Sequence, residues 1–280
     1  MTTSAYEEFS ALHRTCAPLL LPNAWDHASA AALVAAGFRA VGTTSLGVAA
    51  AAGLPDGTGA TWAETVRLAR GLTRLNALIS VDVEGGFSDE PAEVAALAAE
   101  LAEAGAVGIN IEDGRADGTL RDAGHQAEIL AAVREAVGGR LFINARTDTY
   151  WLRGAGKVPE TGERVAAYRA AGADGVFVPG LRDLPAITDL TSTVGETPLN
   201  ILYAPDGPSV LELAQAGVAR VSCGSLLFRA ALGAAVTAAR AVAGGAPPVA
   251  EGVPSYADTQ ALADGFAHAA EPRIDTAPRP

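Results

Sequence analysis

The sequence predicts an α/β protein with the (β/α)8 (TIM) barrel fold, and three features of its 280 residues lead to that prediction. Short apolar runs alternate with Ala-rich stretches of helical length, which is typical of successive βαβ units in a parallel sheet. Ala-Gly pairs end four of the helical stretches shortly before a strand, at Ala36-Gly37, Ala104-Gly105, Ala171-Gly172 and Ala216-Gly217. Polar residues gather late in several strands, at the end where such barrels carry their sites.

Eight short apolar segments are predicted as strands. They are Leu19–Leu21, Arg39–Thr44, Ala77–Glu84, Ala106–Glu112, Leu141–Thr147, Gly175–Pro179, Leu199–Tyr203 and Arg220–Cys223. Eight strands, each followed by a helix, close a barrel. The alternative is an open doubly wound sheet, which a G-x-G-x-x-G fingerprint after the first strand would favour, and the sequence has none there.

The C-terminal part of the chain departs from this alternation. Residues 242–254 are rich in Gly and Pro, and a short helical stretch follows over residues 255–268. We therefore expect one barrel domain over residues 1–280, with a C-terminal helix and tail at residues 250–280. This last helix is expected to pack on the barrel or on a neighbouring subunit, and the length of the chain suits a single α/β barrel.

Composition excludes several classes of protein. The formal net charge is −12 and no Lys/Arg cluster occurs, which argues against nucleic-acid binding. Two cysteines are too few for a disulfide framework, and no apolar run of about 18 residues is free of charged or turn residues. We therefore expect a cytoplasmic protein that does not bind membranes. The single lysine, Lys157, argues against imine chemistry, and the four scattered histidines argue against a His-rich metal site.

Polar residues occur two apart near the ends of three predicted strands, a spacing that places both side chains on one face. The pairs are Asp82 and Glu84, Asn110 and Glu112, and Asn144 and Arg146. Carboxylates crowded at one end of a barrel repel each other unless a cation lies among them. Asp82, Glu84, Glu112 and Asp56 would offer oxygen ligands suited to Mg²⁺, with Mn²⁺ as an alternative, and Arg146 would bind a substrate carboxylate.

Simpler roles explain other polar residues at the strand ends. Asp113 and Asp148 fit a helix cap or a turn better than a catalytic role. Asn110 and Asn144 could satisfy buried backbone groups, and Cys223 fits a buried, unreactive thiol.

Several motifs together resemble the isocitrate lyase/phosphoenolpyruvate mutase superfamily over about residues 15–245. They are Leu21-Pro22-Asn23-Ala24-Trp25-Asp26, Gly47-Val48-Ala49-Ala50 with Gly53-Leu54-Pro55-Asp56, Val81-Asp82-Val83-Glu84-Gly85-Gly86-Phe87, Gly105-Ala106-Val107-Gly108-Ile109-Asn110-Ile111-Glu112-Asp113 and Asn144-Ala145-Arg146-Thr147-Asp148. The resemblance implies a Mg²⁺-dependent barrel that forms a homodimer or homotetramer, often with the last helices swapped between subunits.

The resemblance also implies roles for individual residues. Asp82 matches the direct metal ligand, and Glu84, Glu112 and Asp56 match ligands that act through water. Arg146 matches the arginine that binds the substrate carboxylate. The remaining substrate-binding positions are Thr44, Ser45, Leu46 and Asn200.

Three features differ from the superfamily pattern. One is the Lys-x-x-x-Asn gating loop of the mutases, for which this chain has no clear counterpart. Lyases carry a Lys-Lys/Arg-Cys-Gly-His loop after the fourth strand, but residues 114–125 of this chain contain no Cys. Where lyases have a Glu near the end of the sixth strand, this chain has Val178-Pro179-Gly180. The resemblance therefore implies that the half of the site that binds metal and oxo acid is retained, whereas the half that acts on the leaving group differs.

The leading hypothesis is a lyase that breaks a C–C bond of a small 2-oxo or 2-hydroxy carboxylate through a metal-stabilised enolate. Arg146, Glu112 and His125 are its candidate catalytic residues, with His125 as an acid–base on a loop that covers the site. Three alternatives remain: a C–P bond enzyme, an oxo-acid-binding barrel with little catalysis, and an unrelated barrel that binds phosphate at Gly224-Ser225.

Overall fold

The computed structural model describes residues 3–152, 158–247 and 252–267. Its strands form one parallel sheet in the order β1-β9-β8-β7-β6-β5-β4-β3-β2. They are β1 (Leu19–Leu21), β2 (Asn23–Ala24), β3 (Ala40–Thr43), β4 (Leu78–Asp82), β5 (Gly108–Glu112), β6 (Phe142–Arg146), β7 (Gly175–Phe177), β8 (Leu199–Leu202) and β9 (Arg220–Ser222).

The two ends of this sheet meet at Pro22. Strand β1 pairs with β9 through Leu21 and Ser222, whereas β2 pairs with β3 through Asn23 and Gly42. Proline has no N–H for a ladder hydrogen bond, which explains why one extended segment is divided into β1 and β2. Its carbonyl still accepts a hydrogen bond of 2.9 Å from the Gly42 N–H. The predicted (β/α)8 barrel is therefore confirmed, with the first predicted strand continuing as a second short piece.

Helices alternate with the strands around the barrel. They are α1 (Ala5–Leu12), α2 (His27–Ala35), α3 (Ser45–Ala52), α4 (Trp62–Leu72), α5 (Pro91–Glu103), α6 (Ala123–Val137), α7 (Val158–Ala170), α8 (Leu184–Val194), α9 (Val210–Gln215), α10 (Leu226–Ala243), α11 (Tyr256–Ala261) and α12 (Asp264–Ala267), with a 3-10 turn at Gly138–Arg140. The glycines of the four Ala-Gly pairs all have positive φ, as predicted from their place at helix ends.

Helix α1 covers the N-terminal ends of the strands. A capping box between Ser4 and Glu7 starts this helix. Phe9 is fully buried, and its ring lies 5.6 Å from that of Phe142 in β6. His13 stacks on Phe142 with a centroid separation of 4.4 Å. Burial of one such aromatic side chain contributes about 2 kcal/mol to the free energy of folding, which holds α1 against the barrel. Helix α1 thus closes the N-terminal end of the barrel, and the C-terminal end stays open.

The C-terminal segment packs on the barrel as two short helices, not as the one predicted over residues 255–268. Phe266 of α12 lies 5.5 Å from the ring of His27, and its carbonyl accepts a hydrogen bond of 2.8 Å from Arg74. Thr259 N–H bonds the Ser255 carbonyl in α11, and a turn at Leu262 and Ala263 separates the two helices. The end of the predicted helix and Lys157 lie outside the described residues.

Helix α10 is apolar and exposed. Phe228 is its buried residue, whereas Leu232 and Val236 are 52% and 48% exposed on the same side. In the described part of the chain, α10 is the one helix whose length and mean hydropathy of 1.5 would allow it to cross a membrane. The sequence predicts no such span because Arg229 and Arg240 interrupt this stretch, and length and composition alone are weak evidence for one.

Candidate functional site

A cavity of about 300 Å³ opens at the C-terminal ends of the strands. It brings together seven of the predicted site residues, namely Thr44, Ser45, Leu46, Asp56, Asp82, Glu112 and Arg146. Three others, Glu84, His125 and Asn200, do not line it. These seven residues come from strands β3 to β6 and the loops that follow them, and residues of β2, β7, β8 and β9 complete the lining.

Asp82 is the last residue of β4 and is 9% exposed. Its carboxylate accepts hydrogen bonds from the backbone N–H of Ser45, at 3.3 Å, and of Glu84, at 3.4 Å. Burial raises the pKa of Asp82, and the charge of Arg146 partly offsets this effect. A carboxylate that is costly to ionise in this position would be stabilised by a bound cation.

The segment after β3 directs the backbone N–H of Ser45 toward this carboxylate. Thr44 has extended backbone angles, and α3 begins at Ser45. A Cβ on Gly47 would lie 2.7 Å from the Cβ of Trp25 and 2.8 Å from a methyl carbon of Thr44, so a side chain does not fit there. The N-terminal end of a helix favours negative charge, which makes this segment suited to an anionic ligand.

Glu84 lies beyond the end of β4, and the prediction that it shares a face with Asp82 is wrong. Its φ of +49° belongs to a turn, so the alternation of a strand no longer applies. Its carboxylate accepts hydrogen bonds from the Gly59 N–H at 2.9 Å and the Thr61 hydroxyl at 2.6 Å. Both oxygens therefore hold the segment at residues 59–61. Burial raises the pKa of Glu84, and the nearby charges of Asp82 and Asp56 raise it further.

Arg146 ends β6 and is surrounded by carboxylates. Its Nη1 lies 2.6 Å from Oε2 of Glu112, which ends β5. Its Nε and Nη2 donate to the two oxygens of Asp148, at 2.6 and 3.1 Å. Burial alone would lower the pKa of Arg146, but Glu112, Asp148 and Asp82 raise it above its ordinary value. Burial raises the pKa of Glu112 well above its ordinary value despite the nearby guanidinium.

Asp148 and Asp113 are linked, and the prediction that they act as caps or turn formers misses this role. The backbone N–H of Asp148 donates to Oδ1 of Asp113 at 2.9 Å. Oδ2 of Asp113 accepts from the Tyr168 hydroxyl at 2.7 Å and from Arg164 at 3.2 Å. Asp113 is fully buried, and burial raises its pKa. Residues of α7 thus fix Asp113, which fixes the backbone that positions Asp148 against Arg146.

The loop after β5 forms a short hairpin between Gly114 and Leu120. It ends before His125, which lies in the first turn of α6 and donates its N–H to Asp122 at 3.0 Å. The ring of His125 contacts the Asp89 carbonyl at 2.8 Å and does not line the cavity. The predicted position of His125 on a covering loop is therefore wrong, because Asp122 starts the helix earlier than expected.

Below the cavity, polar side chains fill the interior of the barrel. Asn200 is 1% exposed and does not line the cavity, and its Oδ1 accepts from the Ser222 hydroxyl at 3.3 Å, so its role in substrate binding stays a prediction. Asn144 donates from Nδ2 to Oδ1 of Asn110 at 2.9 Å. Arg220 of β9 donates from Nη2 to the same oxygen at 3.2 Å. The sequence predicts site residues from polar side chains at the ends of strands. Arg220 is the first residue of β9, so this pattern misses it.

Asn23 connects the first and last strands at the edge of the cavity. Its Oδ1 accepts from the backbone N–H of Cys223 at 2.9 Å and of Gly224 at 2.8 Å, and its Nδ2 donates to the Thr43 carbonyl at 2.7 Å. Because the Gly224 N–H already donates to Asn23, it is not available to bind a phosphate at Gly224-Ser225. Cys223 is half-buried, and burial raises the pKa of its thiol.

The donor set fits a divalent cation held mainly through water. Among the described residues, no three His, Cys, Asp or Glu side chains converge closely enough to enclose a metal ion. Mg²⁺ in proteins keeps several waters and needs only one or two carboxylates. Asp82, Glu112 and Asp56 all line the cavity and could serve in this way, whereas Glu84 would act at most through further water.

Comparison with known proteins identifies relatives of the whole barrel. The family described as phosphoenolpyruvate phosphomutase matches residues 9–243. An uncharacterised protein of Mycobacterium tuberculosis is 44% identical over 253 residues, which are 90% of this chain and 95% of that protein.

Two further relatives differ in their assigned reactions. The crystal structure of a proposed phosphonomutase from Burkholderia cenocepacia is similar, with a TM-score of 0.80 and 37% identity, over 84% of this chain and 99% of that one. The protein named probable 2-methylisocitrate lyase 1 of Corynebacterium glutamicum is 34% identical over 171 residues, which are 58% of this chain and 55% of that protein.

Proposed function

The chain belongs to the phosphoenolpyruvate phosphomutase family, in the phosphoenolpyruvate mutase/isocitrate lyase superfamily of lyases and mutases, and from this membership we propose a reaction. We propose that it is a Mg²⁺-dependent lyase that cleaves a C–C bond in a small 2-oxo or 2-hydroxy carboxylate.

The observation that carries this proposal is the arrangement of opposite charges in one cavity. Arg146 lies within 2.6 Å of Glu112, and Asp82 faces the first turn of α3. A dianionic oxo acid needs both a cation for its oxygens and a guanidinium for its carboxylate. In a protein with a net charge of −12, such local positive charge is what allows an anion to bind.

Each group would have a distinct task. Mg²⁺, when bound, would stabilise negative charge on an enolate oxygen, as a Lewis acid next to a carbonyl does. Asp82 would hold the ion directly, and Asp56 and Glu112 would hold its waters. Arg146 would bind the substrate carboxylate with N–H groups that Asp148 and Glu112 do not use, because a guanidinium has five donors. The backbone N–H groups at the start of α3 would orient the oxo-acid end.

The loop that replaces the lyase Cys loop limits the chemistry. The hairpin at residues 114–120 carries Arg115 and Asp117 but no Cys. Decarboxylation needs no acid–base residue to release its leaving group, since CO₂ departs once the enolate is stabilised. Decarboxylation of a 2-oxo dicarboxylate such as oxaloacetate therefore fits the described residues best, ahead of a retro-aldol or retro-Claisen cleavage.

A C–P bond enzyme is the second candidate. Its support is the 37% identity with the proposed phosphonomutase, of which the match covers 99%. The same metal and carboxylate-binding half of the cavity would serve a phosphonate substrate. Release of inorganic phosphate distinguishes this reaction from C–C cleavage.

The test is turnover by purified protein with Mg²⁺ on oxaloacetate, 2-methylisocitrate, 2,3-dimethylmalate and phosphonopyruvate. We expect turnover of a carboxylate without phosphate release, abolished in Asp82→Ala and retained in the control Glu103→Ala. Glu103 is an exposed carboxylate on α5, outside the cavity. Phosphate release would favour the second candidate. Metal-dependent binding without turnover of any compound would favour an oxo-acid-binding barrel and contradict the lyase.

We further propose that the chain acts as a cytoplasmic homodimer or homotetramer. The exposed apolar face of α10 supports this proposal, because monomeric proteins rarely leave a long apolar face in water. A second copy of the chain would cover it.

A further inference from the structure

Arg220 is a charged side chain sealed inside the barrel. It is 1% exposed and is the largest fully buried side chain among the described residues. Its Nη2 donates to Oδ1 of Asn110, but its Nε and Nη1 have no hydrogen-bond partner. Nδ2 of Asn200 is also buried without a partner. A network that served packing alone would satisfy its own donors, so this arrangement calls for another explanation.

Arg220 determines the orientation of the Asn110 amide. A guanidinium donates hydrogen bonds and cannot accept them, so the atom of Asn110 that it contacts must be the carbonyl oxygen. Asn144 donates to the same oxygen at 2.9 Å. With its oxygen held by two donors, Asn110 must direct its NH₂ group away from both of them.

The NH₂ group of Asn110 is open to the cavity. Asn110 lines the cavity, and its Cα is paired in register with that of Asp82 on the neighbouring strand. The hydrogen bonds of the described residues give its Nδ2 no acceptor, and this atom is not sealed from solvent. The floor of the cavity therefore presents an oriented N–H donor beside the Asp82 carboxylate, above a buried positive charge.

We propose that Asn110 is a substrate-binding residue whose amide donates to a carboxylate or enolate oxygen of the ligand, with Arg220 and Asn144 as positioning residues. This inference rests on the proposed function, because it assumes an oxo-acid ligand in this cavity. The positive charge of Arg220 polarises the amide and strengthens it as a donor in a low-dielectric interior. The cavity then distinguishes ligands with an acceptor oxygen at this position from ligands that place a donor or a methyl group there.

Binding of oxalate in the presence of Mg²⁺, measured by titration calorimetry, tests the role of Asn110. Oxalate is a planar dianion with acceptor oxygens only. Asn110→Ala should weaken binding roughly 10-fold and Asn110→Asp up to roughly 100-fold, because the second change replaces a donor with a repelling carboxylate. Asn110→Asp keeps the shape of the side chain and would pair with Arg220, so it should fold. The control Ser80→Ala removes a buried hydroxyl of the barrel interior and should bind as the wild type does.

The role of Arg220 is tested through Asn110. Arg220→Met should weaken oxalate binding roughly 10-fold with an unchanged or higher melting temperature, because it removes an incompletely paired buried charge. Arg220→Lys, which retains the charge, should recover part of the affinity. Arg220→Met should add little to Asn110→Ala in the double variant, since both remove the same oriented donor.

Other results would overturn the inference. If the wild type binds oxalate and both Asn110→Ala and Asn110→Asp bind it with the same affinity, the role of Asn110 is refuted. The proposed function would then remain intact. If the losses of oxalate affinity in Asn110→Ala and Arg220→Met add up in the double variant, and Arg220→Met lowers the melting temperature, Arg220 has a structural role only. Wild-type protein that turns over no compound and binds no oxalate would refute the proposed function and this inference together.

Discussion

Asp148 binds the guanidinium of Arg146 through two hydrogen bonds, from Nε to Oδ1 at 2.6 Å and from Nη2 to Oδ2 at 3.1 Å. The two residues are only two positions apart, yet the Asp148 backbone is fixed from a distance by the fully buried Asp113. Since Arg146 also pairs with Glu112, its planar group has one orientation before any ligand binds. Pre-oriented groups lose less entropy on binding, which makes this pair a determinant of affinity.

Asp148→Asn should therefore weaken ligand binding. The amide can accept one hydrogen bond from Arg146 but cannot form the charged bidentate pair. We expect the Kd for oxalate with Mg²⁺ to rise roughly 10- to 100-fold. The control Asp206→Asn breaks an Arg–Asp pair of 2.7 Å with Arg182 at the exposed surface and should leave the Kd unchanged. An unchanged Kd in Asp148→Asn would contradict the positioning role.

Gly114→Ala tests the same pair without removing a charge. A Cβ at Gly114 would overlap the carboxylate of Asp148, which would have to move away from Arg146. We expect oxalate affinity to fall about 10-fold by calorimetry, as for a lost hydrogen bond to a charged group. Gly162→Ala is the matched control, since no atom lies within 4 Å of its added Cβ in α7. This control should bind normally and be more stable by up to about 1 kcal/mol.

His13 should make the protein sensitive to mild acid. Burial is the main cause that lowers its pKa from 6.5 to about 3. Between these two pH values the unfolded chain binds a proton at His13 that the folded protein does not bind, so the free energy of unfolding falls as the pH falls. The loss approaches about 1.4 kcal/mol for each pH unit once the pH is well below 6.5, where the unfolded histidine is fully protonated. It amounts to about 1.7 kcal/mol at pH 5 relative to pH 6.5.

The variant His13→Asn retains an amide donor for the Phe9 carbonyl, which His13 contacts through Nδ1 at 2.9 Å. It should be less stable at pH 7 because packing against Phe142 is lost, but its stability should fall less between pH 6.5 and pH 5. Urea unfolding at several pH values measures this difference. Equal slopes in His13→Asn and wild type would show that His13 is protonated in the folded protein.

The exposed face of α10 should mediate self-association. Leu232→Glu combined with Val236→Glu should reduce the mass measured by light scattering from a multiple of 28.2 kDa to the monomer mass. Leu211, which is 68% exposed on α9, provides the control Leu211→Glu, which should keep the wild-type mass. A monomeric wild type would contradict the proposed oligomer. Binding of the wild type to phospholipid vesicles would contradict the expectation that this helix avoids membranes.

The sequence determined the barrel and the end of it that carries the site. Local signals suffice for both, because helix-ending glycines, apolar strands and polar residues two apart each depend on nearby residues only. Asp82, Glu112 and Arg146 were found in this way, since each is the last residue of its strand. The same alternation failed for Glu84, where the strand had already ended and the backbone turns at a φ of +49°.

Only the tertiary structure decided which polar residues reach the cavity and which lie beneath it. Asn200 and Asn110 both lie on strands, but only Asn110 lines the cavity. Arg220 contacts Asn110 across 110 positions of sequence, and Asp113 contacts Tyr168 across 55. No local pattern encodes such pairs, because they form only when the sheet closes and brings distant strands and helices together. The chemistry of this site therefore depends on barrel closure as much as on the motifs at its strand ends.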